Sequence, residues 1–224
     1  MNWQKHFLGL VAALVMTTAP ATAATVVAYN SSNGATLSAS AVGDGIVAQD
    51  VTRGAALAQA GGNTFNSRNW SQAGTMAEAI AAGSYLTWGF TSDVPLLFDT
   101  LGIGFNRSPQ GPASIALEMA VNGGAWTTLF DFAAPDFSAN TTWVASGTFQ
   151  GVSGVTEAMF RLVGWDAGNW AGAFRLAEAS SLDGRAFVLT ASPIVAIPLP
   201  SALPLMGGAL LLLGLVGLRR RKAA

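Results

Sequence analysis

The sequence predicts an all-β fold: an antiparallel β-sandwich of jelly-roll type, with an N-terminal signal peptide and one C-terminal transmembrane helix. Three observations carry this. About ten short segments rich in β-branched and aromatic residues are joined by Gly-rich connections, without βαβ alternation. An apolar run follows a single cation at the N-terminus. A second apolar run, preceded by prolines and followed by four cations, closes the chain.

Residues 1–23 read as the signal peptide. Lys5 supplies the positive start, Phe7 to Met16 is uncharged, and Ala21-Thr22-Ala23 offers small residues for cleavage after Ala23. That run is too short to cross a bilayer core of about 30 Å. Residues 24–191 form the expected sandwich. Thr25 to Tyr29 and Ile46 to Val51 are β-branched, and Ser31 to Gly45, poor in large apolar residues, is expected as an exposed loop. Thr75 to Ala82 alone has helical spacing, through Met76, Ala79 and Ile80, and ends at Gly83. Tyr85 to Phe90 places Leu86, Trp88 and Phe90 on one face, and Leu101 to Phe105 alternates against Gly102 and Gly104. Ser114 to Val121 and Ala125 to Phe132 flank Asn122-Gly123-Gly124, a hairpin signal, because Asn-Gly accepts the positive φ of a tight turn. Thr141 to Phe149, Ala158 to Val163, Ala173 to Leu176 and Ala186 to Thr190 complete the set.

Residues 192–201 are a Pro-rich linker and motif, stiffened by Pro193, Pro198 and Pro200. Residues 202–218 are the expected transmembrane helix, covering about 25 Å at about 1.5 Å per residue. Residues 219–224 form a basic tail, expected on the cytoplasmic side through Arg219, Arg220, Arg221 and Lys222.

This tail resembles the PEP-CTERM class of bacterial sorting signals in its VPLPA-type variant. The matching residues are Ile197, Pro198, Leu199, Pro200, Ser201 and Ala202, the Gly207-Gly208 pair, Leu210 to Leu213 and the basic cluster. Ile197 stands where Val is usual and Ser201 where Ala is usual. The resemblance implies export through the Sec translocon, signal peptidase cleavage and an inner-membrane-anchored precursor. It also implies processing by an exosortase, an integral-membrane cysteine protease, and delivery to the cell surface or matrix of a Gram-negative bacterium. The domain resembles exported β-sandwiches often joined to such tails, through Val51-Thr52-Arg53-Gly54-Ala55-Ala56-Leu57, Thr64 to Trp70 and Ala79 to Trp88. Later landmarks are Phe105 to Pro112, Phe160 to Trp165 and Ala171 to Leu176. Ala177-Glu178 stands where that family often has Asp-Asn. The resemblance implies no activity.

Composition closes many options. Cysteine is absent, and the one histidine, His6, belongs to the signal peptide. The sandwich holds all 12 acids, six Arg and no Lys, so its formal charge is near −6. Such a domain is a poor partner for nucleic acid. Without His or Cys there is no Ser-His-Asp or Cys-His nucleophile and no thiolate or imidazole zinc site. Carboxylate chemistry remains, as does a Ca²⁺ site built from oxygen ligands.

Trp165, Asp166, Asn169 and Trp170 are the foremost candidates for carbohydrate contact, since aromatic faces stack on sugar rings while polar groups bond their hydroxyls. The alternative folds these tryptophans onto the core. Arg68 and Trp70 alternate with Asn66 and are candidates to grip an acidic sugar, or else form a structural cation–π pair. Asp44, Asp50, Glu178 and Asp183 are candidates for Ca²⁺ if the first and last strands are neighbours, with solvated loop acids as the alternative. Glu118 and Glu157 are the pair a glycosidase would need. The reading is an exported, non-enzymatic surface or matrix protein with polysaccharide as the candidate ligand. A carbohydrate-active enzyme and a purely structural matrix protein are the alternatives.

Overall fold

The computed structural model describes residues 22–30, 36–61, 65–133 and 138–194. The signal peptide up to residue 21, the sorting motif Ile197 to Ala202, the apolar run and the basic tail lie outside them. Among the described residues no helix is long and apolar enough to cross a membrane.

In chain order the elements are β1 (Ala24–Tyr29), β2 (Ala39–Val42), β3 (Ile46–Ala48), β4 (Thr52–Arg53), β5 (Ala58–Gln59) and β6 (Asn66–Arg68). There follow α1 (Met76–Ala82), β7 (Tyr85–Arg107), β8 (Pro112–Val121), β9 (Thr127–Ala133) and β10 (Trp143–Thr148). The last are β11 (Ser153–Ala167), β12 (Phe174–Leu176), a 3-10 turn (Ser180–Leu182) and β13 (Phe187–Pro193). All strand pairs are antiparallel.

β7 runs through both layers, its first part in the front layer and its second part in the back layer. Its first part pairs with β3, β4 and β11, and β11 continues through β8 to β9. Its second part pairs with β13 and β10, and β13 continues through β1 to β2. The sequence reads Tyr85 to Phe90 and Leu101 to Phe105 as two separate strands. The chain instead runs on as one strand of 23 residues. Between Thr91 and Leu96 the partner β11 advances only from Glu157 back to Val155, so β7 bulges there, at Pro95, and bends between the layers.

The inner faces meet in one aromatic core. Phe187 of β13 packs edge-on against Trp88 at 5.2 Å and against Phe160 at 5.1 Å, joining the two sheets. Phe105 stacks on Phe174 at 5.8 Å, and Phe174 meets Trp70 at 5.3 Å. Each such ring removes roughly 150–250 Å² from water. The chain has no cysteine, so this burial replaces disulfide support.

The predicted hairpin forms, with Asn122 at φ 49° and Gly123 at φ 70°. The Asn122 side chain accepts from the backbone of Thr156 and Glu157, tying the turn to β11. The predicted helix also forms. Thr75 caps it and donates to Glu78 at 2.6 Å, and Gly83 closes it at φ 80°. The loop expected over Ser31 to Gly45 needs correcting. Leu37 is buried at 1% exposure and bridges to Val51, while β2 pairs with β1 as an edge strand built from small residues. Ser192 and Pro193, expected in the Pro-rich linker, belong to β13 instead, and residues 195–201 lie outside the described residues.

Candidate functional site

β11 ends in a loop that is clasped from three sides. Asp166 adopts φ 55°, and its amide and that of Ala167 donate to the carbonyls of Ala73 and Ser71, each at 3.0 Å. The Asn169 Oδ1 accepts from the amides of Ala171 and Gly172 at 2.9 and 3.1 Å. Gly172 lies so close to Gln110 that a Cβ would stand 1.8 Å from its carbonyl oxygen. Trp170 rides on this fixed loop with 63% of its surface exposed. Its carbonyl accepts from the Asn69 amide at 3.0 Å, which joins the loop to the segment after β6.

The predicted contact residues therefore divide. Trp170 and Asp166 are exposed, and Trp165 is half-buried. Asn169 uses its side-chain oxygen to hold the loop, so its role is positioning. Trp70 corrects the sequence reading: it is 2% exposed, donates to the Ser67 carbonyl at 2.8 Å and packs against Phe174. The strand period fails between Arg68 and Trp70 because Asn69 takes φ 66°, turning Trp70 inward while Arg68 stays exposed.

A polar pocket lies between β6, β12 and β7. Arg175 pairs with Asn66 on one side and with Asn106 on the other, so the three form a row across neighbouring strands. Ser108, Asn140 and Ala173 close a cavity of about 220 Å³ over them. The Ser108 hydroxyl accepts from the Ala173 amide at 2.8 Å. The Asn66 Oδ1 is buried without a hydrogen-bond partner. Sequence reasoning did not single out this row, although a signal exists. Phe65-Asn66, Phe105-Asn106 and Phe174-Arg175 each set a core Phe before an outward polar residue.

The pocket and the exit of the chain lie at opposite ends of the back layer. Pro193 pairs with Leu96, whereas the pocket row crosses β7 at Asn106, about 30 Å further along at about 3.3 Å per residue.

Elsewhere the candidates disperse. Glu118, 7% exposed, is held by Arg161 at 2.7 Å, and the Arg161 guanidinium lies 4.3 Å from the Trp126 ring centre. Glu157 sits four residues from Arg161 along β11, about 13 Å away. β1 and β13 are neighbours as expected, but Asp44, Asp50, Glu178 and Asp183 stay solvent-exposed. Among the described residues no three His, Cys, Asp or Glu gather as a metal site. On the back layer Thr148, Thr100, Thr190 and Thr25 cross four strands and floor a groove of about 550 Å³. The hydroxyls of Thr100 and Thr190 bond one another at 2.7 Å, and no aromatic residue lines that groove.

No family model matches the chain, and no curated protein matches it. Several solved structures are similar at low TM-scores, three of which follow. One is a xylan-binding module, CBM15, at 10% identity and TM-score 0.40, covering 77% of this chain and 97% of that one. Another is TmCBM61 in complex with β-1,4-galactotriose, at 10% identity and TM-score 0.30, covering 64% of this chain and 85% of that one. The third is an F5/8 type C domain from Bacteroides fragilis, at 14% identity and TM-score 0.27, covering 51% and 70%.

Proposed function

We propose that the chain is an exported, non-catalytic surface or extracellular-matrix protein whose β-sandwich binds polysaccharide, and whose C-terminal signal an exosortase processes. The observation that carries the binding reading is Trp170, an indole 63% exposed on a loop immobilised by Asn169 and Gly172. The fixed indole presents a rigid apolar platform with one polar N–H at its edge. A sugar ring suits it, being apolar on its C–H face and polar at its edge, and a polar pocket stands beside the loop at Ala173. A two-carboxylate hydrolase fits less well. Arg161 engages the Glu118 carboxylate, and Glu157 stands four residues from Arg161 along β11, so the two acids do not face one another across the strand pair.

Affinity electrophoresis through gels containing neutral or acidic polysaccharides tests the reading. The wild-type protein is expected to be retarded by at least one polymer, and Trp170→Ala to run freely with an unchanged melting temperature. Retardation that survives Trp170→Ala would overturn the site, and no retardation in any gel would leave the structural-matrix reading. Hydrolysis lost in Glu118→Gln would overturn the non-catalytic assignment. For the sorting signal, a chain truncated after Pro193 is expected to lose surface retention in cell fractionation. Retention equal to the full-length chain would remove the exosortase step.

A further inference from the structure

We infer that the groove on the outer face of the back layer is a second polysaccharide contact, a subsite for one sugar unit that carries a ring carboxylate. This rests on the polysaccharide-binding reading and specifies an acidic polymer, but it does not rest on Trp170. The groove of about 550 Å³ has a built floor and wall. Its floor is the row Thr148, Thr100, Thr190 and Thr25, which faces outward because Leu101, Leu189 and Val26 beside them are buried. Its wall is the 3-10 turn Ser180–Leu182. Leu182 settles on Gly102 so closely that a Cβ there would stand 2.4 Å from its Cδ2. Asp183 and Gly184 then take φ 52° and 73° and return the chain to the sheet at Arg185, whose amide donates to the Leu182 carbonyl at 3.0 Å. A closed turn thus sets the Arg185 guanidinium against the floor.

The donors and acceptors along this floor decide the ligand's chemistry. Arg185 is half-buried, and among the described residues it makes no ion pair. Its guanidinium donates from Nη1 to the Thr25 Oγ1 at 3.3 Å. The other N–H donors remain, and the Thr25 hydroxyl, an acceptor towards Arg185, keeps its own proton for a ligand. A planar cationic fork beside a hydroxyl donor matches the two oxygens of a carboxylate. Further along the row the polarity reverses. Thr190 gives its proton to the Asp99 Oδ2 at 3.2 Å, so it accepts from the Thr100 hydroxyl at 2.7 Å and from the Thr100 amide at 3.1 Å. Thr100 therefore offers the groove only lone pairs. A sugar hydroxyl donates there, whereas a further oxygen of a sulfate or phosphate would set lone pairs against lone pairs. Thr25 and Thr100 stand two strand spacings apart, about 10 Å, and a hexuronate carries its carboxylate and its ring hydroxyls on opposite sides of one ring. No aromatic residue lines the groove, so charge-assisted hydrogen bonds take the place of stacking. The formal charge near −6 of residues 24–191 repels an acidic polymer at long range, which leaves the selection to Arg185 at short range.

Isothermal titration of the full-length chain, in a detergent without a sugar headgroup, tests this with tetragalacturonate, cellotetraose and sodium acetate. Tetragalacturonate is expected to bind at least about tenfold more tightly than either of the others. Arg185→Gln is expected to lower that affinity about tenfold, and the isosteric Thr25→Val about fivefold. Asp183→Asn removes the one carboxylate of the lining and keeps a residue that tolerates positive φ, so it is expected to tighten binding about threefold. Melting temperatures identify any variant that fails to fold, and Thr25→Val then carries the comparison. Cellotetraose binding as tightly as tetragalacturonate would overturn the acidic assignment, and acetate doing so would overturn the sugar. Tetragalacturonate binding that is lost in Trp170→Ala but unchanged in Arg185→Gln and Thr25→Val would overturn the subsite while leaving the polysaccharide reading intact. No binding of any probe, joined to no retardation in polysaccharide gels, would remove both.

Discussion

Glu118 and Arg161 show how strongly a single partner sets a residue's role. On the outer face of the front sheet their side chains lie cross-strand at 2.7 Å, with Trp126 over the guanidinium. Removing Arg161 would strand a carboxylate that is 7% exposed. Arg161→Ala is therefore expected to cost about 3 kcal/mol in urea unfolding, the lower end of the range for half-broken buried pairs. Trp126→Ala should cost about 1 kcal/mol, since it removes a cation–π contact and leaves the ion pair in place. The sequence could offer Glu118 as a catalytic candidate because it contains no register, and register is what delivers Arg161 to it. The same limit explains the two tryptophans. Trp70 and Trp170 both stand in polar, Gly- and Asn-containing surroundings, yet Asn69 turns one into the core and Asn169 clasps the other's loop outward. The pocket is less legible still, since positions 66, 106 and 175 meet only through two separately formed strand pairs.

At the level of elements, the segments on which the family resemblance rests act mainly as stitching. Gly54 packs so tightly on Gly83 that a Cβ would stand 2.3 Å from its carbonyl oxygen, and Gly164 leaves room only for the Trp70 ring. The Ser84 hydroxyl donates to the Gly164 carbonyl and accepts from the Ser71 amide. Arg53 reaches from β4 to Ser67 Oγ at 2.9 Å and lies 3.8 Å over Phe65, its pKa lowered by burial. Gly54→Ala is expected to lower the melting temperature sharply, because the nearest colliding atom, the Gly83 carbonyl oxygen, is backbone and cannot swing aside. Gly74→Ala, which meets nothing within 4 Å, should leave it unchanged. Thr75→Ala should cost about 1 kcal/mol by uncapping α1. Elements with a local code were legible: the Asn-Gly hairpin, the helix closed by Gly83 and the Leu86-Trp88-Phe90 face. The continuity of β7 was not, because a bulge at Pro95 looks in sequence like a strand end. β2 is hidden in the sequence because its small residues carry little apolar signal, and its pairing comes from β1.

For the whole molecule, the absence of cysteine leaves stability to packing, to polar pairs such as Glu118–Arg161 and to the protonation of one phenol. Tyr29 is buried in the core and donates to the Gln49 carbonyl. Burial first, and the charge of Asp50 second, raise its pKa well above the ordinary value near 10. The folded state thus keeps a proton that the unfolded chain releases. Stability is intact below about pH 10 and falls above it, by up to about 1.4 kcal/mol per pH unit. Thermal melts between pH 8 and 11 should show this slope, and Tyr29→Phe should flatten it. The absence of Lys from residues 24–191 makes that alkaline limb simple to read, with Tyr85 the other tyrosine of the chain.

The opposite placement of the Asn66–Arg175–Asn106 pocket and of Pro193 has a mechanical consequence. A pull exerted between the pocket end of β7 and the C-terminal end of β13 runs lengthwise along both strands. The hydrogen bonds between those strands are then loaded in shear, all together. Peeling would instead break them one after another. The domain meets tension along its strongest axis.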